Sequence, residues 1–178
     1  MKFRSHTPRD ASAIERLFAS VFTASEGESE GTLIGKLAKA LMADTDRDDL
    51  YGFVAVDEQH IVGAIFFSRL RFEQDTKGFL LAPVAVHSEN QGKGVGQALI
   101  THGLQEIKKR GVAIVTTYGD PAFYSKVGFH PLSTETIPAP FELSQPEGWL
   151  GQSLTQDPIE PIAGPCSCVD AFDDPAYW

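Results

Sequence analysis

The stretch VAVHSENQGKGVGQALI, Val84 to Ile100, decides the fold. A run of strand-forming residues passes through three glycines at alternate positions, Gly92, Gly94 and Gly96, into a run with helical spacing. Alternating glycine weakens helix and strand alike, so its use points to a close approach of something to the backbone. A strand that enters a glycine-rich turn and then a helix aims several N–H groups at one place, and the helix N-terminus adds partial positive charge. That place suits a phosphate, with Gln91 and Lys93 as further donors. Two familiar phosphate loops fail here. The P-loop needs Lys followed by Ser or Thr after a four-residue spacer, and the dinucleotide fingerprint needs a glycine where Gln97 stands.

Working outward, "YGFVAVD" and "HIVGAIFFSRLRF" read as strands joined by the polar pair Glu58-Gln59, a hairpin connection. "GFLLAPVAVH" is a third strand, with a bulge or break expected at Pro83 because proline donates nothing to a ladder. An antiparallel meander is the simplest assembly. A helix is predicted from Val95 to Arg110, ending in Lys108, Lys109, Arg110 and Gly111, and "VAIVTTY" is a buried strand. "GDPAFYSKVGF" reads as a short helix capped by Asp120, opened by Pro121 and stopped at Gly128.

Toward the N-terminus, "KFRS" is a short strand. Thr7, Pro8 and Asp10 form a capping signature for a helix whose apolar face is Ile14, Leu17, Phe18, Val21 and Phe22. "SEGESEG" reads as an acidic loop carrying Glu26, Glu28 and Glu30, with a second helix near Thr32 to Ala43. Beyond Pro131 repeated prolines predict a tail wrapping the surface, with one strand in "GWLGQSLT"; Trp149, Phe172, Tyr177 and Trp178 either close an acceptor pocket or pack on the domain, the commoner role of tail aromatics.

Composition bounds the function. The chain has 178 residues, enough for one domain with a sizeable core, here residues 1–131 with 132–178 as an extension. A formal net charge of −9 argues against nucleic-acid binding and mildly favours cationic partners such as amines. No apolar run is long enough to span a membrane, and MKFRSHTPRD has no signal-peptide core, so a cytoplasmic protein is expected. Cys166 and Cys168, one residue apart, read as free thiols in a reducing compartment, and no metal site is expected.

The run QGKGVG matches the Gln/Arg-x-x-Gly-x-Gly/Ala pyrophosphate loop of the GNAT superfamily of N-acetyltransferases at Gln91, Gly94 and Gly96, and "VAV" resembles that family's fourth strand. A second, separated match is "FYSKVGF", Phe123 to Phe129, which resembles the aromatic-Tyr-x-x-x-Gly-Phe signature on the family's short fourth helix. The resemblance runs from about Lys2 to Phe129, and GDPAFYSKVGF is similar to a bacterial subgroup of predicted acetyltransferases.

The resemblance implies an α+β fold, sandwich-like, with a central mixed and mostly antiparallel twisted sheet, splayed strands 4 and 5, and helices on both faces. It implies acetyl-CoA as donor and an amine of a small molecule or a protein as acceptor, with no metal, nucleic acid or membrane. A homodimer is compatible with it. Gln91, Gly92, Lys93, Gly94, Val95 and Gly96 would cradle the pyrophosphate. The backbone of Val84, Ala85 and Val86 would pair with the pantetheine arm, and the Val86 N–H would polarise the thioester carbonyl. Tyr124 stands where the family places its general acid. A phenol titrates near pH 10 and a thiol near 8.5, so full proton transfer is uphill by about 2 kcal/mol and a hydrogen bond to the departing sulfur is the fitting description.

Two positions depart from the pattern: Thr117 replaces a frequent asparagine, and Asp120 replaces a frequent alanine. "FLLAPVAV" carries no carboxylate base, which leaves Glu26, Glu28, Glu30, His87 and Glu89 as candidates. A silent acyl-CoA-binding sensor or interaction protein is the alternative to an enzyme.

Overall fold

In the computed structural model, which describes every residue from Met1 to Trp178, Glu58 and Gln59 have φ of 44° and 70° and join β2 (Leu50–Asp57) to β3 (His60–Phe72). Positive φ at both central residues is the type I′ turn, whose twist suits a tight hairpin. The mixed sheet further contains β1 (Lys2–Ser5), β4 (Gly78–Val86), β5 (Ile114–Tyr118), β6 (His130–Pro131) and β7 (Trp149–Ser153). Their order is β1-β2-β3-β4-β5-β7-β6, and β8 (Cys166–Ser167) pairs with β3 at Arg71 and Phe72. The chain forms two compact units, Met1–Phe66 with Pro83–Gly103, and Phe67–Ala82 with Leu104–Trp178. No helix is long and apolar enough to cross a membrane.

In the first unit β1 runs antiparallel to β2, from Lys2↔Val56 to Ser5↔Phe53. The chain then turns through Pro8–Asp10 into α1 (Ala11–Glu26), and the expected cap is present in extended form. The Asp10 carboxylate accepts from the Thr7 N–H at 2.7 Å and from both Arg4 Nη atoms, at 2.7 and 3.0 Å. The Arg4 hydrogen bonds hold the Asp10 carboxyl down to about 2, against the cost of its burial.

Period-two alternation places helices on both faces of β3. Phe66 stacks on Phe18 of α1 with ring centres 6.0 Å apart. Gly63, of opposite parity, faces Leu99 of α3 (Val95–Lys108), where a Cβ would lie 3.3 Å from Leu99 Cδ2.

The acidic run is not a loop. Glu26 ends α1, Gly27 alone makes the break, and Glu28 and Glu30 lie in the first turn of α2 (Glu28–Asp44). Carboxylates are favoured there by the helix dipole. Gly31 and Gly35, which look like helix breakers, instead let the helices close. A Cβ at Gly31 would overlap Thr23 Oγ1 and come within 2.6 Å of the Ala19 carbonyl, and one at Gly35 would lie 3.1 Å from Ala19 Cβ. Hence α2 begins at Glu28 rather than Thr32. The end of α3 is likewise earlier than expected, at Lys108.

In the second unit β7 pairs antiparallel with β5 from Ile114↔Ser153 to Tyr118↔Trp149, and β6 adds to β7. The strand expected in GWLGQSLT is thus present as β7, and it lies inside the sheet, between β5 and β6. Residues 132–178 supply an interior strand and bury Ile137, Leu143, Trp149, Leu150, Leu154, Ile162, Phe172 and Trp178. Pro146 and Pro175 open short 3-10 turns, where a missing N–H removes no ladder bond. The indole N–H of Trp149 donates to Ile137 O at 2.9 Å, and that of Trp178 to Phe172 O at 3.0 Å. Cys166 and Cys168 are free thiols, and burial pushes them up to about 12 and about 11, far from a reactive thiolate.

Candidate functional site

Strand β4 is continuous, and the break expected at Pro83 lies in its pairing instead. The parallel ladder with β5 runs from Gly78↔Ile114 to Leu81↔Thr117 and stops. Ala82–Val86 continue beyond it, so their backbone groups on that side are not taken up by β5. Pro83, two residues past the last rung, has no N–H to offer. Ala85 is buried, whereas Val84 and Val86 are half-buried. After the strand the His87 N–H still donates to Val62 O at 2.7 Å.

The turn that follows leaves the amides of Gly92, Lys93 and Gly94 without a backbone partner. His87 Nδ1 accepts from the Glu89 N–H at 3.3 Å and caps a 3-10 turn, Ser88–Asn90, so the ring has a local structural task. The Gln91 side-chain amide donates to Val86 O at 2.9 Å and braces the turn against the strand end. Gly92 and Gly94 have φ of 72° and 79°, and a Cβ at either would meet no atom within 4 Å. Glycine is therefore required for backbone conformation, and the space before it is open. Lys93 stands exposed between them. The first α3 bond is Ala98 N–H to Gly94 O at 3.0 Å, so the amides of Val95, Gly96 and Gln97 have no partner within the helix. Gly96 differs from the other two glycines: it is buried in the first turn of α3 and has no positive φ. The open cradle and free amides fit a pyrophosphate.

In the second unit, Asp120 Oδ1 accepts from the Ala122 N–H at 2.9 Å and caps α4 (Pro121–Tyr124), as its sequence predicted. The Tyr124 ring is held edge-on by Phe123 at 5.0 Å and Phe129 at 5.7 Å. It lies over Gly119, where a Cβ would be 2.8 Å from Tyr124 Cε2. Burial raises the Tyr124 phenol above its ordinary range. A hydrogen bond with the Thr117 hydroxyl opposes the rise, and the Asp120 charge adds to it. The group is thus a protonated donor at neutral pH.

Sequence reasoning missed two residues here. Thr117, noted only as a departure, is fully buried and donates its hydroxyl to Leu81 O at 2.8 Å. Gly119 makes room for the ring. The available signal was a threonine at an inward position of a short apolar strand. The tail aromatics close on one another: Tyr118 stacks on Trp178 at 6.3 Å, Trp149 meets Trp178 at 6.2 Å, and Phe172 meets Tyr177 at 5.7 Å. Glu26, Glu28 and Glu30 sit at helix ends in the first unit.

Comparison with known proteins agrees with this geometry. Residues 48–131 match the family model described as Acetyltransferase (GNAT) domain. The N-acetyltransferase YjhQ of Escherichia coli is 31% identical over 140 residues, covering 75% of this chain and 77% of the relative. The crystal structure of the GNAT family N-acetyltransferase YhbS from E. coli in complex with CoA superposes with a TM-score of 0.83 at 27% identity, covering 97% of this chain and 92% of that one. A GNAT family acetyltransferase from Brucella melitensis in complex with acetyl-CoA shares the fold, with a TM-score of 0.74 at 24% identity and 97% of each chain covered.

Proposed function

The chain belongs to the GNAT family of N-acetyltransferases, and from that premise we propose that it carries the acetyl group of acetyl-CoA to an amine of a small molecule or protein in the cytoplasm. The observation that carries this reading is that β4 runs past its last rung with β5 and enters a turn at Gly92 and Gly94 whose amides have no backbone partner.

On this reading the amides of Gly92, Lys93, Gly94, Val95 and Gly96 hold the pyrophosphate, and Gln91 braces their turn through Val86 O. On the side that β5 leaves open, the backbone of Val84, Ala85 and Val86 runs beside the pantetheine arm as an added strand would. The Val86 N–H points its dipole at the thioester oxygen, where negative charge develops. The neutral amine attacks the carbonyl carbon. The C–N bond forms, the C–S bond breaks, and the ammonium proton leaves to water. Sulfur departs as a thiolate that takes a hydrogen bond from the Tyr124 hydroxyl.

A thiol-release assay over a panel of small amines and amine-bearing peptides, run beside acetyl-CoA binding, tests the reading. Turnover on at least one acceptor, strongly reduced in Tyr124→Phe, is expected. Tight binding with no turnover on any amine would instead identify a silent acyl-CoA-binding protein.

A further inference from the structure

Charge is divided unevenly along the chain. Eight of the 24 acidic residues and none of the 15 lysines and arginines fall in residues 132–178, so this extension carries −8 of the formal −9. Within it, residues 134–146 form an open groove of about 300 Å³. Pro138, Phe141, Leu143 and Pro146 give it apolar walls, Thr134 and Glu142 are its polar side chains, and no lysine or arginine lines it. Glu142 is exposed and makes no hydrogen bond or ion pair within the protein. The groove segment is anchored close to Tyr124. The hydroxyl of Tyr118, the last residue of β5, accepts the Gln145 N–H at 2.7 Å and lies 3.2 Å from Ser144 Oγ. Phe141 packs on Trp178 at 6.4 Å, and Trp178 stacks on Tyr118. The Gly119 N–H donates to Gly148 O at 3.0 Å, and it is Gly119 over which the Tyr124 ring lies.

We propose that this groove receives a second, non-reacting ammonium group of the acceptor, so that the substrate class is a small organic diamine or polyamine. The inference rests on the acetyl-transfer reading for the fate of the other end: one amine is neutral and attacks, while its twin stays protonated in the groove. An aromatic ring and an unpaired carboxylate opening onto one space attract an alkylammonium through cation–π and charge, and the prolines and Leu143 take its methylenes. The groove stands at the small end of the range for small-molecule sites, which suits an aliphatic amine rather than a folded partner. The one-signed charge of the extension adds a field that draws cations toward it and that salt screens.

The test measures transfer to butane-diamine and hexane-diamine beside butylamine and hexylamine. At low salt at least one diamine should exceed its monoamine about tenfold in kcat/KM, the worth of an exposed ion pair with a cation–π contact. Glu142→Gln should remove most of that preference by raising KM for the diamine, and Phe141→Leu should remove part of it. Glu147→Gln, which deletes a carboxylate of the extension outside the groove, should leave the preference in place. A second arm needs no turnover: butyltrimethylammonium, which cannot be acetylated, should shift the backbone amide signals of residues 141–145 in the wild type and not in Glu142→Lys. If diamines and monoamines are used equally and the probe shifts none of these signals, the groove has no such role, while acetyl transfer stands. A preference that survives Glu142→Gln and falls equally with Glu147→Gln would assign it to the general field and overturn the groove. If no amine is acetylated yet the probe shifts the signals as described, the acetyl-transfer reading fails and the cation groove stands.

Discussion

Substituting Gly94 by Asp tests the phosphate cradle where its geometry is simplest. A side chain there meets no protein atom within 4 Å, so the substitution introduces no clash. Its intrinsic cost is that of holding an L-residue at φ 79°, about 1 kcal/mol and less for Asp or Asn than for most residues. Gly94→Asn shares that cost and carries no charge, which makes it the matched control. The binding penalty is electrostatic. A carboxylate about 5 Å from one phosphate charge is repelled by about 3 kcal/mol at an effective dielectric of 20 and by under about 1 kcal/mol in bulk water. An exposed turn lies between these limits, so Gly94→Asp should bind CoA about 2 kcal/mol more weakly than Gly94→Asn, roughly 30-fold in Kd. Isothermal titration of both folded variants measures the difference, and raising salt should shrink it. Equal affinities for CoA at low salt would refute the assignment of the pyrophosphate to this turn.

The Asp10 carboxyl, lowered from 3.8 to about 2 by Arg4, contributes stability that is present above pH 4 and lost as pH falls from about 4 to about 2. Arg4 is 44% exposed, so the contribution is discounted to about 1 kcal/mol; Asp10→Asn should lose it at pH 7 and show a shallower acid transition by urea unfolding. Gly31→Ala must push α2 away from Thr23 and the Ala19 carbonyl, and should cost about 1–3 kcal/mol in chemical denaturation although alanine is the better helix former. Because the Tyr124 phenol is raised, kcat should climb with pH as the acceptor amine deprotonates and show no decline from Tyr124 below about pH 10. A decline between about pH 8 and 10 that vanishes in Tyr124→Phe would contradict that direction.

Local signals were legible in the sequence, and what was lost depended on distant partners. The Glu58-Gln59 turn and the Asp120 cap are decided within a few residues, and each was read correctly. The family resemblance likewise rested on two short motifs, QGKGVG and FYSKVGF. Gly31 misled because its reason lies on another helix, at Ala19 and Thr23. The tail strand was expected in GWLGQSLT, but its partner was not legible, because Trp149–Ser153 pairs with Ile114–Tyr118, distant in sequence. Thr117 was visible as a substitution, but its bond to Leu81 spans 36 residues, and no local pattern announces it.

The surroundings of Tyr124 bear on what kind of group it is. An ordinary phenol is already too weak an acid to protonate a thiolate by about 2 kcal/mol. Burial moves Tyr124 further in that direction, and the Asp120 charge adds to it. A site organised for full proton transfer would place a cation beside the hydroxyl, and here the nearest charge that acts on it is a carboxylate. On the proposed reading the arrangement favours a neutral phenol, which would stabilise the leaving sulfur without giving up its proton. The thiolate would then take its proton from solvent water. The demand on the protein would be one well-placed hydrogen bond from a ring that Gly119, Phe123 and Phe129 hold in place.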